Sequence, residues 1–231
     1  MSEQRSRAGA VKQAALVATP LPVTARGMRT RAKLVKAART EFERNGYLDT
    51  NIGDIAARAR VAYGSFYTYF ASKEEVFEEV VKEVRDEGRA ISSTEPLVGP
   101  DPRSRIARAN AAYLHAYQAN AAIMAVIEEV ATFSPRLAEI RREARHFWVE
   151  RNRAAIARWQ AEGIVRADLD PYYAASALGS MVDRSAYVWF VLGEPFDIDV
   201  GIEQLTSLYC AALGIDARSA QSNVARSSRR A

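Results

Sequence analysis

The sequence predicts an all-α fold, in which an N-terminal three-helix domain with a helix-turn-helix precedes a larger helical domain. Apolar residues recur three and four positions apart from Thr30 to Leu213, which is the spacing of one helix face. Glycine and proline separate these runs, and no stretch alternates apolar and polar residues over a useful strand length. The chain has 231 residues, 48% of them hydrophobic, so its apolar content is ample for a core.

The first four helices have recognisable ends and apolar faces. Gly46 can end the first helix in a left-handed conformation. Ser72 is placed to cap the fourth helix, and Glu75, three residues later, is the other half of a capping box. The four apolar faces are carried by Val35, Ala38 and Phe42; by Ile52, Ile55, Ala56 and Ala59; by Phe66, Tyr69 and Phe70; and by Val76, Phe77, Val80, Val81 and Val84.

Prolines and glycines mark the limits of five further helices. Pro96, Gly99 and Pro100 break the chain after the fourth helix. Ser134-Pro135 and Asp170-Pro171 each open a later helix, because proline fits the first helical turn. The five helices are expected over residues 103–120, 121–133, 135–162, 171–192 and 199–213.

Composition excludes several classes of protein. One cysteine cannot form a disulfide framework, and with only two histidines a Cys/His zinc site is not expected. Glu143-x-x-His146 matches half of a di-iron carboxylate site, but His115 has no glutamate three positions before it. No Ser/His/Asp or Cys/His set stands out, so we expect no enzyme activity, no metal and no cofactor. No apolar run approaches the roughly 18 residues that span a bilayer, so no membrane partner is expected.

Charge is divided unevenly along the chain, whose total is +4. Residues 1–73 hold 13 Lys/Arg and 5 Asp/Glu, residues 74–217 hold 15 and 23, and residues 218–231 hold 4 and none. The first segment is therefore at +8, the second at −8 and the last at +4. A basic N-terminal third on an acidic body indicates an anionic polymer or surface as partner, and a chance imbalance of solvated faces is the alternative.

The termini differ in composition from the helical part. We divide the chain into a flexible basic arm (1–29), a helix-turn-helix domain (30–75), a larger helical domain (76–216) and a disordered basic tail (217–231). Ala14 to Ala25 follows basic residues as in a signal peptide. Two prolines and two threonines interrupt its apolar core, so we expect a cytoplasmic protein.

The segment from Thr50 to Lys73 carries the functional signal. Two short helices with a tight connection around residues 59–62 form a helix-turn-helix pattern. Thr50 can cap the first of them, and small Ala56 lets the two helices cross closely. The second helix is then held outward, where its side chains can enter a major groove. Because any all-α protein contains such helix pairs, the pattern alone leaves DNA binding open.

This segment resembles the DNA-binding domain of the TetR family (tetracycline-repressor-like regulators). The resemblance covers residues 30–77, and the later helices, which end in two amphipathic ones, also fit the family layout. It implies a ligand-responsive transcriptional regulator, of repressor type, that binds double-stranded DNA at a palindromic operator as a homodimer and is released by a small hydrophobic or amphipathic effector. Four features match in order: Thr50; Asp54-Ile55-Ala56; Gly64-Ser65-Phe66-Tyr67; and Tyr69-Phe70-Ala71-Ser72-Lys73-Glu74-Glu75.

Three positions depart from the family pattern. Arg60 stands in the turn where the family usually has glycine, and a positive φ there costs about 1 kcal/mol unless the turn is shaped differently. Ala62 opens the recognition helix in place of Ser or Thr, so a cap hydrogen bond worth about 1 kcal/mol is absent. Tyr63 stands where the family often has arginine or another polar residue that contacts bases.

The resemblance and the chemistry of the side chains together imply a set of DNA-contacting residues. Tyr63 and Gly64, at the front of the recognition helix, are best placed to meet base edges. Arg26, Arg29 and Arg31 could reach phosphate or the minor groove, and the alternative is that they are only solvated. The positions that resemble phosphate contacts of the family are Thr50, Ser65, Tyr67, Tyr69 and Lys73. For the aromatic residues among them, a place in the core is the alternative.

The larger domain is expected to bind the effector and to form the dimer. The last two helices would pair with their counterparts in a second subunit as a four-helix bundle, and an apolar cavity would lie between the helices from 103 to 162. The alternative for these two helices is that their apolar stripes pack only within the monomer. The dimer set is Ala177, Met181, Val188, Leu205, Tyr209 and Leu213. The effector set is Tyr113, Tyr117, Met124, Glu128, Phe133, Phe147, Trp148 and Arg151, with His146, Asn152 and Arg184 as further polar candidates.

A competing interpretation is a basic helical protein that binds nucleic acid or anionic surfaces without sequence specificity. The basic residues cluster around the helix-turn-helix rather than along one amphipathic helix, which favours a sequence-selective DNA-binding protein.

Overall fold

The computed structural model describes residues 19–93 and 101–215. Every regular element in these ranges is a helix, which confirms the all-α prediction. The helices are α1 (Ala25–Asp49), α2 (Ile52–Ala59), α3 (Tyr63–Phe66), α4 (Lys73–Ser93), α5 (Pro102–Ala119), α6 (Ala121–Ala131), α7 (Pro135–Ala161), α8 (Pro171–Phe190) and α9 (Ile198–Leu213). Within the same ranges, no helix combines the length and apolarity needed to cross a bilayer.

The first helix begins earlier than the sequence predicts. The hydroxyl of Thr24 accepts a hydrogen bond from the backbone N–H of Gly27 at 3.1 Å, and this cap starts α1 at Ala25. Residues 25–29, assigned to the arm from the sequence, are therefore helical. The rest of that arm up to residue 18, the chain breakers at 96, 99 and 100, and the tail over 217–231 lie outside the described residues.

Gly46 ends the regular part of α1, as the sequence predicts. Its φ of 73° and ψ of 177° fall in a region that glycine alone adopts without strain. One further turn leads to Asp49, and the chain then enters α2. The residue that caps α2 is Asn51, whose side chain accepts a hydrogen bond from the N–H of Asp54 at 3.0 Å. Thr50 was expected in this role, and that prediction is wrong by one residue.

Four of the later helices, α5, α7, α8 and α9, begin at side-chain caps, whereas α6 does not. Ser134 and Asp170 accept hydrogen bonds from N–H groups of the first turn of α7 and α8, and a proline follows each cap directly. Asp101 and Asp197 cap α5 and α9 in the same way. Each cap of this kind stabilises its helix by about 1 kcal/mol, so the helix starts are fixed by local chemistry.

Two apolar cores hold the helices together. The first joins α1–α4 to α6 and the start of α7, and it contains Phe42, Phe77 and Ile123, all fully buried. The second lies between α5, α7, α8 and α9, and it includes Leu114 and Leu205. Because the first core includes residues before and after position 75, the predicted domain boundary there is not a packing boundary. Helix α1, which packs against α2 and α4, also packs against α6.

Candidate DNA-contacting face and internal polar cluster

The turn of the helix-turn-helix keeps a left-handed residue although it lacks glycine. Arg60 has φ 56° and ψ 45°, and it is the single non-glycine residue with positive φ among those described. The N–H groups of Arg60 and Val61 donate to the carbonyls of Ala57 and Ala56, each at 3.0 Å, and close α2. The left-handed geometry costs an arginine roughly 1–2 kcal/mol.

Replacing Arg60 with glycine is expected to raise the free energy of unfolding by about 0.5–1 kcal/mol. The strain that the substitution removes exceeds the extra unfolded-chain entropy of glycine. Urea unfolding followed by circular dichroism measures the change. Arg60→Ala is the matched control, because it removes the same charge and keeps the Cβ atom. An equal gain from Arg60→Ala would contradict the explanation by backbone strain.

The recognition helix α3 presents an aromatic surface. Phe66 is fully buried and anchors the helix, whereas the side chains of Tyr63 and Tyr67 are 57% and 46% exposed. Their hydroxyls lie 3.1 Å apart, their rings meet edge to face, and this hydrogen bond raises the pKa of Tyr67. Ala62 makes no side-chain cap, as the sequence predicts. The two rings therefore form one exposed unit at the front of the helix.

Small residues lie beside the two tyrosines. A Cβ atom added at Gly64 would have no neighbour within 4 Å in the described structure, so internal packing does not require glycine there. Ser65 is exposed, and Tyr69 is half-buried against the first core. The backbone at Gly64 is therefore open to close approach by a bound molecule.

Lys73 has a structural role that the sequence did not indicate. Its ammonium group donates hydrogen bonds to the carbonyls of Tyr47 (2.7 Å), Thr50 (2.9 Å) and Leu48 (3.2 Å), and it lies 4.5 Å from the centre of the Tyr47 ring. These contacts join the start of α4 to the connection between α1 and α2. Three carbonyl oxygens within 3.2 Å hold the ammonium group inside the protein in this conformation, and the phosphate contact from Lys73 stays a prediction.

Thr50 and Arg31 are also occupied within the protein. The hydroxyl of Thr50 is buried and donates to the carbonyl of Gly46 at 2.7 Å, so it does not reach the surface as a phosphate contact would require. The guanidinium of Arg31 pairs with Glu79 at 2.9 Å and lies over the ring of Phe70 at 4.7 Å. Arg29, in contrast, is exposed. The surface candidates that remain from the predicted set are Arg29, Tyr63, Gly64, Ser65, Tyr67 and, half-buried, Tyr69.

A contact that the sequence analysis missed holds the chain before α1 against α4. Glu75 accepts hydrogen bonds from the backbone N–H and the hydroxyl of Thr19, at 2.6 and 2.8 Å. Glu75 also accepts from the N–H of Ala71 at 2.5 Å, while its own N–H donates to the Ser72 hydroxyl at 3.2 Å. The predicted capping box is therefore half formed, because its carboxylate serves Thr19 and Ala71. Nothing in the sequence around Thr19 signals this contact.

Part of the predicted effector set converges in the larger domain. Tyr113 donates a hydrogen bond to a carboxylate oxygen of Asp183 at 2.5 Å, and burial raises the pKa of Tyr113 well above its ordinary value. Burial also raises the pKa of Glu128, against the opposing effect of Arg141, which donates to it at 2.7 Å. The hydroxyl of Tyr117 is buried and has no hydrogen-bond partner among the described residues. We call Tyr113, Tyr117, Glu128, Arg141 and Asp183 the polar cluster.

Of the remaining effector candidates, Phe133 and Phe147 lie at other places on the surface. Phe133 is 51% exposed and contacts Tyr47 with ring centres 6.1 Å apart, so it lies at the junction with the helix-turn-helix. Phe147 is 39% exposed and lies beneath the guanidinium of Arg89 of α4, at 4.4 Å. Trp148 meets Phe147 edge to face, and Arg151 approaches the Trp148 ring. Met124 packs against both cores. Of the further polar candidates, His146 and Arg184 are exposed and Asn152 is half-buried. The eight residues do not form a single site.

Two members of the polar cluster, Asp183 and Arg141, were missed by the sequence analysis. Asp183 and Arg184 are the only charged residues of α8, whose other positions are mostly apolar or small. An isolated charge in such a helix is a signal for a buried partner. Arg141 has no such signal, because α7 is rich in arginine and glutamate.

The predicted dimer set divides into buried residues on α9 and more accessible residues on α8. Leu205, Tyr209 and Leu213 are buried inside the protomer, where α9 packs against α5, and so are not available as a surface. On α8, Ala177 is exposed, and Met181 and Val188 are half-buried. A different face of α9 is open, with Val200, Gln204, Leu208 and Ala211 exposed at spacings of four, four and three. The exposed fraction is 57% for Val200 and 56% for Leu208.

The fold and the exposed recognition helix define a class of protein. A helix-turn-helix presents α3 outward, and a larger helical domain follows it, which is the architecture of DNA-binding transcriptional regulators. Residues 34–80 match the sequence profile described as bacterial regulatory proteins, tetR family.

Relatives extend this match over most of the chain. The transcriptional repressor DhaR of Mycobacterium sp. (strain GP1) is 30% identical over 145 residues, which cover 61% of this chain and 72% of DhaR. The regulator BetI of Paraburkholderia xenovorans (strain LB400) is 28% identical over 74% of this chain and 88% of BetI. The regulator YdgC of Bacillus subtilis (strain 168) is 33% identical over 69 residues, and this chain covers only 35% of YdgC. The chain therefore belongs to the TetR family and is a DNA-binding transcriptional regulator.

Solved structures share the fold. A TetR-family regulator from Rhodococcus sp. superimposes with a TM-score of 0.65 at 21% identity, over 80% of this chain and 98% of that one. A regulator from Saccharomonospora viridis in complex with choline gives a TM-score of 0.67 at 18% identity, over 78% of this chain and 94% of that one. At these identities the likeness concerns the fold alone.

Proposed function

We propose that this regulator is a homodimeric repressor that binds a palindromic operator and is released by a small amphipathic effector. The observation that carries the proposal is the recognition helix α3, whose exposed Tyr63–Tyr67 unit is held outward on buried Phe66. The similarity to the repressor DhaR supports repression rather than activation.

The dimer is inferred from exposed apolar surface on the last two helices. Val200 and Leu208 of α9 are more than half exposed, although both are large and apolar, and Ala177 is exposed on α8. Apolar surface on neighbouring helices is a feature of helical interfaces between subunits. A second copy of this chain is the partner that fits, since a two-fold dimer matches two half-sites of a palindrome.

Tyr63 is the residue that we propose to select bases. Its ring offers an apolar surface for a thymine methyl group and one hydroxyl for a polar base edge. The adjacent Gly64 lets the backbone approach the duplex without a side chain in between. Ser65 and Tyr67 are exposed beside it and are proposed to contact phosphates.

Replacing Tyr63 with alanine is expected to weaken binding to the operator by about 1–3 kcal/mol and to change binding to random DNA little. The reason is that base contacts carry the preference, whereas phosphate contacts are independent of sequence. Fluorescence anisotropy with operator and random duplexes measures both affinities. Tyr173→Ala, at a tyrosine of α8 that is 73% exposed, is the control. Equal losses on both duplexes from Tyr63→Ala would contradict the role.

The effector is proposed to bind at the polar cluster. The Tyr117 hydroxyl has no partner among the described residues, and its ring stacks on Phe190 with centres 6.1 Å apart. A ligand with an apolar body and a polar group could use both features. It would release DNA only if it binds better to the arrangement of the two recognition helices that does not fit the operator than to the arrangement that does. The choline complex of the S. viridis regulator supports a small molecule as the effector class.

Selection of DNA from a randomised pool by the purified full chain tests the proposed function. The expected result is an inverted repeat, whose spacing gives the distance between the two recognition helices. Recovery of a single half-site would contradict the dimer, and recovery of no preferred sequence would contradict the operator. A small-molecule screen by thermal shift, repeated with Tyr117→Phe, then tests the effector site.

A further inference from the structure

The exposed face of α1 carries a row of cations. Arg26, Arg29, Lys33 and Lys36 follow one another at spacings of three, four and three residues, which places them on one side of the helix. All four side chains are exposed. Within residues 19–93 and 101–215, none of the four side chains forms an ion pair or a side-chain hydrogen bond.

Three other basic side chains of the same region are paired with carboxylates. Arg31 pairs with Glu79, Arg39 pairs with Glu43 at 2.9 Å and with Glu87 at 3.1 Å, and Arg58 pairs with buried Glu41. Lys73 is enclosed by three carbonyls. The positive charge of the N-terminal third is therefore not spread evenly over its surface, and the row on α1 carries much of the charge that remains available.

The row is continuous with the turn that precedes the recognition helix. Lys33, Lys36 and Thr40 line one surface groove together with Ala59 and Arg60. Arg60 is exposed and, within the described structure, has no ion pair. Because the N-terminal end of a recognition helix points into the major groove, the residues just before it lie near the groove edge. The phosphate backbones run along that edge.

We propose that Arg26, Arg29, Lys33, Lys36 and Arg60 form a second DNA-backbone contact, which follows the phosphates flanking the half-site. Residues 26–36 of the helix rise about 15 Å, and one strand of duplex DNA carries a phosphate about every 3.4 Å of axis. Because the strand also winds around the axis, a straight row of this length can face more than one phosphate of one strand. The proposal rests on the DNA-binding class and holds whether the protein represses or activates.

Salt dependence of DNA binding tests the row. The test variant is the double substitution Lys33→Gln and Lys36→Gln in the full chain, which removes two charges and keeps side-chain length. The control is Arg142→Gln with Arg153→Gln, two exposed arginines of α7, which changes the net charge equally. Affinities for the selected operator and for a random duplex of the same length are measured from about 50 to 200 mM salt.

The expected result is that the salt slope, the negative slope of log affinity against log salt, becomes smaller in magnitude by about 2 per bound protomer, or about 4 for the proposed dimer, in the test variant and is unchanged in the control. The ratio of operator to random affinity is expected to stay constant, because phosphates carry no sequence information. Phosphate ethylation is expected to interfere at flanking positions for the wild type and not for the test variant. A test variant whose salt slope equals that of the wild type would overturn the proposal.

Failure of this inference differs from failure of the repressor proposal. The random duplex gives a salt slope even if no operator exists, so the row is tested in either case. A normal inverted repeat with an unchanged slope rejects the row alone. A reduced slope without an inverted repeat supports the row and rejects the palindromic operator.

Discussion

Replacing Lys73 with alanine is expected to lower the free energy of unfolding by about 2 kcal/mol. The ammonium group donates to the carbonyls of Tyr47, Leu48 and Thr50, and it lies over the Tyr47 ring. A hydrogen bond to a charged group is worth about 1.5–3 kcal/mol when buried. Lys73 is half-buried, so in the alanine variant water can replace part of the lost hydrogen bonding. The expected loss of stability is therefore smaller than the sum of three such bonds.

The same substitution distinguishes two roles for Lys73. If its role is the one in the structure, DNA binding weakens because α4 and the α1–α2 connection separate, and stability falls together with affinity. If the lysine contacts phosphate, affinity for every duplex falls and stability does not. Urea unfolding and anisotropy on the same preparation measure both quantities. Lys82→Ala, at an exposed lysine of the same helix, is the control. Unchanged stability in Lys73→Ala would contradict the structural role.

Local features were predictable from the sequence because local chemistry decides them. The uncapped start at Ala62 follows from its residue type, because alanine has no polar side-chain atom, and it is present. The left-handed turn at Arg60 is also present, although arginine disfavours it and the sequence left the shape of the turn open. Lys73 lies at the start of α4, but the atoms that it contacts are not local in sequence. They are carbonyls that lie 23 to 26 residues earlier in the chain, and every residue has a carbonyl, so no residue type marks the partner.

The larger domain was less predictable because its helices have more than one apolar face. On α9, Leu205, Tyr209 and Leu213 form one stripe, and Val200 and Leu208 belong to another. Helical spacing identifies both stripes, but only the packing of α9 against α5 decides which one is buried. The effector candidates were chosen as aromatic, methionine and polar residues of α5 to α7, and the set omitted Asp183 and Arg141, which hydrogen-bond with Tyr113 and Glu128.

The exposed stripe leads to the prediction with the largest expected effect on DNA binding. Leu208→Glu places a charge on the proposed interface, and its side chain is 56% exposed in the protomer. We therefore expect protomers that fold normally and do not pair at micromolar concentration. Because two linked half-site contacts strengthen each other by a factor of about 10² to 10⁴, operator affinity should fall on the order of 100-fold or more.

Analytical ultracentrifugation and operator binding test both parts of this prediction. The control is Ile164→Glu, which makes the same apolar-to-acidic change at a residue 39% exposed in the connection between α7 and α8. It should remain dimeric and bind the operator normally. A dimeric Leu208→Glu protein would place the interface on another surface. A monomeric one with full operator affinity would contradict the two-fold operator, since a single recognition helix would then supply all of the binding energy.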